Sequence, residues 1–183
     1  MKDLGTVTLE TERLILRKVT RDDAFVAFDN WTNDLKTARY VVWEPHGIID
    51  NTIQLFEKWE KEYDNPHTYR WIVYVKELEQ AIGTIDAVRV SVNQKTAEIG
   101  YCYGSKFWGK GYATEALTKV IDYLLNEVGF ELIEAKHLVG NPASGRVMEK
   151  SGMKYDATLR KRMIDSYDNE RVDVKIYSIT KGE

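Results

Sequence analysis

Residues 108–116 (Trp-Gly-Lys-Gly-Tyr-Ala-Thr-Glu-Ala) set two glycines in a tight turn at the head of an amphipathic helix. Ala113, Ala116, Leu117, Val120, Ile121, Leu124, Leu125 and Val128 follow at the spacing that buries one helical face. A glycine turn that feeds a helix start makes an anion cradle. The first backbone N–H groups have no intrahelical partner, the helix dipole adds positive charge, and glycine puts no Cβ in a phosphate's way. The stretch predicts a pyrophosphate site and leaves open whose pyrophosphate it is.

Two nucleotide motifs fail on spacing. A dinucleotide fold needs G-x-G-x-x-G directly after a first strand, with an acidic ribose ligand about 20 residues later. Here the positions read Gly109, Gly111, Ala113, and the preceding strands form a meander. The P-loop pattern G-x-x-x-x-G-K-[ST] is absent. Three scattered histidines (His46, His67, His137) lack metal-ligand spacing, so no metal is expected. A net charge of -3 gives no nucleic-acid footprint. No apolar run is long enough to span a membrane, and no signal-peptide core opens the chain. One cysteine, Cys102, rules out an intrachain disulfide and fits a cytoplasmic setting. A length of 183 residues is read as one domain, 1–183, with room for a substantial core.

The remaining elements follow from pattern. Residues 9–17 alternate as one strand. Thr20 reads as the N-cap of a helix carrying Ala24, Phe25, Phe28 and Trp31. Residues 32–47 are aperiodic and read as loop. A helix over 50–63 turns Ile53, Phe56, Trp59 and Tyr63 inward, and Asn65 with Pro66 ends it. Strands 69–76, 80–91 and 96–103 are close enough to form an antiparallel meander. After the long helix, Gly129 fits a C′ position and 132–137 is a short strand. That unit implies a right-handed parallel crossover from strand 96–103. A short helix over 141–150 and strands near 153–163 and 171–180, joined by a polar loop at 165–170, complete the chain. The fold class is mixed α/β, with a mostly antiparallel sheet and helices on both faces.

Five segments in this order resemble the GNAT superfamily of acyl-CoA N-acyltransferases, and within it the ribosomal-protein N-terminal acetyltransferase branch. They are 9–17, 97–101 (Ala-Glu-Ile-Gly-Tyr), 108–116, the pair 141–144 (Asn-Pro-Ala-Ser) and 149–153 (Glu-Lys-Ser-Gly-Met), and 173–179. The resemblance implies acetyl-CoA as cofactor, released as CoA. It puts the pyrophosphate on residues 109–114, namely Gly109, Lys110, Gly111, Tyr112, Ala113 and Thr114, with Trp108 at the head. The pantetheine arm would lie along Ile99, Tyr101, Cys102 and Tyr103, where strands 96–103 and 132–137 splay, with Asn141 and Ser144 opposite. Two positions depart from the superfamily pattern: Trp108 stands where Arg or Gln is common, and Met148 where many members carry a tyrosine general acid. Methionine donates no proton, so Ser144 becomes the hydroxyl for the leaving sulfur.

The implied reaction is direct attack of a neutral primary amine on a thioester. Neutralising an α-amine at pH 7 costs about 1 kcal/mol, against about 4.6 kcal/mol for a lysine. An α-amine therefore needs only a weak base, acting through water. Stabilising a thiolate of pKa near 8.5 takes about 2 kcal/mol at pH 7, the order of one hydrogen bond to a charged sulfur. Glu98 and Asp156 are the candidate bases, each set against a structural role. Cys102 lacks an activating partner and reads as a lining residue, His137 as a packed or exposed ring, and Glu115 as structural in the helix's first turn. Trp31, Trp43 and Tyr40 are divided between an acceptor wall and the core. The acceptor is a protein N-terminus or a small-molecule amine, and the chain a monomer or homodimer. A non-catalytic acyl-CoA sensor is the rival reading.

Overall fold

The computed structural model describes residues 1–165 and 168–183. Eight strands form one sheet in the order β1-β2-β3-β4-β5-β6-β8-β7. They are β1 Leu9–Glu10, β2 Leu14–Arg17, β3 Arg70–Val75, β4 Gln80–Ser91, β5 Thr96–Tyr103, β6 Leu132–Leu138, β7 Lys154–Ile164 and β8 Arg171–Thr180. Every neighbouring pair is antiparallel except β5 with β6. The helices are α1 Asp23–Ala27, α2 Leu35–Ala38, α3 Ile49–Glu62, α4 Tyr112–Asp122 and α5 Pro142–Lys150.

In β3 and β5, period-two alternation sends side chains to two cores. On one face Trp71, Val73, Ile99, Ile133 and Ala135 pack with Ala116, Leu117 and Val120 of α4 and Met148 of α5. On the other, Ile72 and Ala81 meet Ala24 and Ala27 of α1, Trp31, and Phe56 of α3. The mixed sheet with helices on both faces matches the expected class.

Four local expectations change. The strand over 9–17 is two antiparallel strands, because the chain turns at residues 11–13, where the Thr11 N–H donates to the Leu14 carbonyl at 3.0 Å. Thr20 is not the N-cap of α1. Asp22 holds that position without a side-chain bond, while the Thr20 N–H and hydroxyl both donate to the Asp23 carboxylate. The aperiodic stretch 32–47 contains α2, capped by Asp34, whose carboxylate accepts from the Lys36 N–H at 3.0 Å. The long helix widens into a π-turn over Tyr123–Val128 before Gly129 ends it in the left-handed region (φ 92°). Part of the polar loop expected at 165–170 lies outside the described residues.

The feature that positions a site is where β5 and β6 part. They pair in parallel only from Thr96 and Leu132 to Ile99 and Ala135. β5 then runs on to Tyr103 still bonded to β4, and β6 to Leu138 still bonded to β8. The facing edges beyond Ile99 thus leave backbone donors and acceptors open to a slot.

Candidate active site

A cavity of about 530 Å³ fills that slot, walled by the free end of β5, the glycine turn before α4, and the start of α5. Gly109 (φ 76°) and Gly111 (φ 82°) both take the left-handed conformation that favours glycine, and Gly111 is the N-cap of α4. The Glu115 N–H donates to the Gly111 carbonyl at 3.1 Å, so the N–H groups of 112–114 precede the first intrahelical bond. Three side chains hold the turn. Arg13 donates to the Lys110 carbonyl at 3.0 Å and lies 4.8 Å over the Tyr112 ring. It also meets the Glu115 carboxylate at 2.6 Å. Thr11 donates its hydroxyl to the same carboxylate at 2.5 Å. Burial pushes the Glu115 pKa up, but the hydrogen bonds from Thr11 and Arg13 outweigh it and leave the group lowered. Trp108 donates its indole N–H to the Tyr103 carbonyl at 2.7 Å, which joins the turn to the end of β5.

The α5 side carries the hydroxyls. Asn141 caps the helix, its side chain accepting from the Ser144 N–H at 3.3 Å. The Tyr101 hydroxyl reaches across the slot to Ser144 Oγ at 2.8 Å and to the Ser144 carbonyl at 3.1 Å. Burial pushes the Tyr101 phenol up to about 12, with the Ser144 bond opposing. Sequence reasoning assigned Tyr101 to the cofactor strand and missed this hydroxyl pair.

Every residue expected to hold the cofactor lines the cavity except Lys110, whose carbonyl faces Arg13. Ser144 lines it; Glu98 and Asp156 do not. Glu98 pairs with Lys136 at 2.7 Å and Arg89 at 3.9 Å. Asp156 is exposed at a bulge of β7, where the register with β8 shifts between Tyr155 and Ala157. Lys136 joins the wall from β6, and Arg146 and Lys150 from α5. The signal for Arg146 and Lys150 was present in the sequence as two cations four residues apart on one helix face.

Tyr40 lines the cavity with Thr37 and lies 6.0 Å from the Trp108 ring. Trp31 belongs to the core, and Trp43 packs on His46 at 5.4 Å. Asp34 fixes this wall, accepting from the Thr37 hydroxyl and the Ser105 N–H, both at 2.8 Å. Burial opposes ionisation of Asp34, yet these bonds hold its pKa down to about 2. Burial pushes the Cys102 thiol up, with Asp34 and Asp86 adding to it, so it stays protonated and is no nucleophile.

Residues 13–154 match the family described as acetyltransferase (GNAT) domain. The chain belongs to the GNAT acetyltransferase family. The uncharacterized N-acetyltransferase YoaA of Bacillus subtilis is 33% identical over 174 residues, 94% of this chain and 96% of that protein. The ribosomal-protein-serine acetyltransferase of Escherichia coli is 29% identical over 102 residues, 55% of each chain. The microcin C7 self-immunity acetyltransferase MccE, solved with acetyl-CoA and AMP, has the same fold, with a TM-score of 0.81 at 21% identity over 93% of both chains. This GNAT protein is an N-acetyltransferase by that kinship. No helix among its described residues is long and apolar enough to cross a membrane.

Proposed function

We propose that this protein transfers the acetyl group of acetyl-CoA to a primary amine, either the α-amine of a protein N-terminus or a small-molecule amine. The observation that carries the reading is the open edge of β5 beyond Ile99, which runs into the glycine turn on one side and faces Ser144 on the other. The residues fit the cofactor. Unpaired β5 main chain suits the amides of a pantetheine arm, and the N–H groups of 109–114 suit a pyrophosphate. Arg146 and Lys150 add positive charge on the wall. Bound there, acetyl-CoA supplies an activated thioester.

The protein's own residues orient that thioester, and Ser144 donates a hydrogen bond to the departing sulfur. For the proton of the amine, Glu98 and Asp156 are the carboxylates proposed to act, and only through water, since neither stands on the wall. Glu98 also orients Lys136, which does. An α-amine suits such remote bases because it is partly neutral near pH 7. The ribosomal-protein acetyltransferase kinship supports the same acceptor.

Isothermal titration with CoA, ATP and NAD tests the cofactor; tighter binding of ATP or NAD refutes the reading. Thiol release from acetyl-CoA is then followed with N-terminal peptides, amino acids, polyamines and other small amines. Binding of CoA with no amine-dependent release would favour the sensor reading, which the named N-acetyltransferase relatives otherwise disfavour.

A further inference from the structure

The Tyr101 hydroxyl has one proton and two acceptors, Ser144 Oγ at 2.8 Å and the Ser144 carbonyl at 3.1 Å. Two arrangements follow. With the phenol proton on the carbonyl, Ser144 gives its own proton to the phenol oxygen and has none to offer the cavity. With the phenol proton on Oγ, the Ser144 O–H is released toward the cavity that the residue lines. The switch leaves nothing buried unpaired. The Ser144 carbonyl lies in the first turn of α5, where helix geometry supplies it the N–H of residue 148.

We infer that Tyr101 is a positioning residue for the acetyl transfer proposed above: its hydroxyl turns Ser144 Oγ into a donor aimed at the departing sulfur. Negative charge growing in the cavity favours the second arrangement, because a hydrogen bond to an anion is about twice as strong as one between neutral groups. The phenol, donating to Oγ, strengthens that bond further by polarising it. The gain is absent before charge develops, so it raises turnover and leaves binding of the acetyl donor unchanged. No proton crosses to the sulfur. Burial holds the phenol at about 12, well above a thiol near 8.5. As the C–N bond forms and the C–S bond breaks, nitrogen sheds its surplus proton to water. Ser144 holds the thiolate by a hydrogen bond.

The test titrates the thiol of bound CoA by the ultraviolet absorbance of its thiolate, so no acceptor need be known. Wild type should depress that midpoint below the value for free CoA. Tyr101→Phe should raise it by about one pH unit, a tenfold change, with CoA affinity at low pH unchanged. Ser144→Ala should raise it at least as much, and the double variant no further than Ser144→Ala alone. Incorporating 3-fluorotyrosine at position 101, a stronger donor of the same shape, should lower the midpoint and guards against misfolding of the phenylalanine variant. An unchanged midpoint in Tyr101→Phe overturns the inference, as do additive effects of the two substitutions. Failure of wild type to bind CoA would instead overturn the function proposed above.

Discussion

Gly145, next to Ser144 on α5, packs closely on His137 of β6 and Tyr177 of β8, and its replacement by alanine has a calculable outcome. A Cβ there would sit 2.7 Å from His137 Nε2, 3.3 Å from His137 Cε1 and 3.3 Å from the Tyr177 hydroxyl. Contacts below 3.0 Å force something to move. The imidazole cannot move freely. It is 7% exposed, and its Nδ1–H donates to the Leu138 carbonyl at 2.7 Å, the only polarity a carbonyl allows. Overpacking at such a site costs about 1–3 kcal/mol. Alanine in a helix interior returns about 1 kcal/mol over glycine. Gly145→Ala should therefore destabilise by about 1 kcal/mol. In a His137→Ala background only the milder 3.3 Å contact with the Tyr177 hydroxyl opposes the helix gain, so the same change should stabilise, by at most about 1 kcal/mol. Urea unfolding of the four proteins at pH 7 measures both steps. The same sign for Gly145→Ala in both backgrounds would refute the clash with His137.

Two further outcomes follow from the charges around the cavity. Asp34 has a folded pKa of about 2, below the value near 3.9 expected when unfolded. Its contribution to stability is complete above about pH 4 and is lost as pH falls toward 2. Urea midpoints from pH 6 to pH 2.5 should fall less steeply for Asp34→Asn than for wild type, and parallel curves would contradict the role given to Asp34. Reversing Arg146 and Lys150 to glutamate should weaken CoA binding about tenfold at low salt and less at high salt, as screening predicts. Binding of acetyl-pantetheine, which lacks the phosphates, should not change; an equal loss for both ligands would show that the two cations do not read charge.

The parts legible in the sequence are those fixed by chemistry within a few residues. The glycine turn and α4 were readable because left-handed backbone and a helical apolar stripe are local facts. The meander β3-β4-β5 was readable because its strands alternate and its turns are short. The division of 9–17 was not: the polar run 10–13 interrupts the apolar pattern between Leu9 and Leu14, but a polar run alone does not distinguish a turn from an exposed strand edge. What holds the turn is Glu115, about a hundred residues later, which takes the Thr11 hydroxyl and the Arg13 N–H. α2 escaped for a similar reason. Four residues show no periodicity, and Asp34, which caps it, also holds Ser105 across the fold.

The site divides along the same line. Alternation correctly groups Glu98 with Gly100 and Cys102 on one face of β5, and Ile99 with Tyr101 and Tyr103 on the other. It does not say where along the strand a ligand can reach. That depends on where β6 leaves β5. Because the two separate after Ile99 and Ala135, Glu98 remains in the paired stretch, close enough to Lys136 for an ion pair. Tyr101 lies beyond the separation, free to cross the slot to Ser144. One register thus commits the carboxylate to a salt bridge and releases the phenol to the hydroxyl, and neither is written in the strand that carries them both.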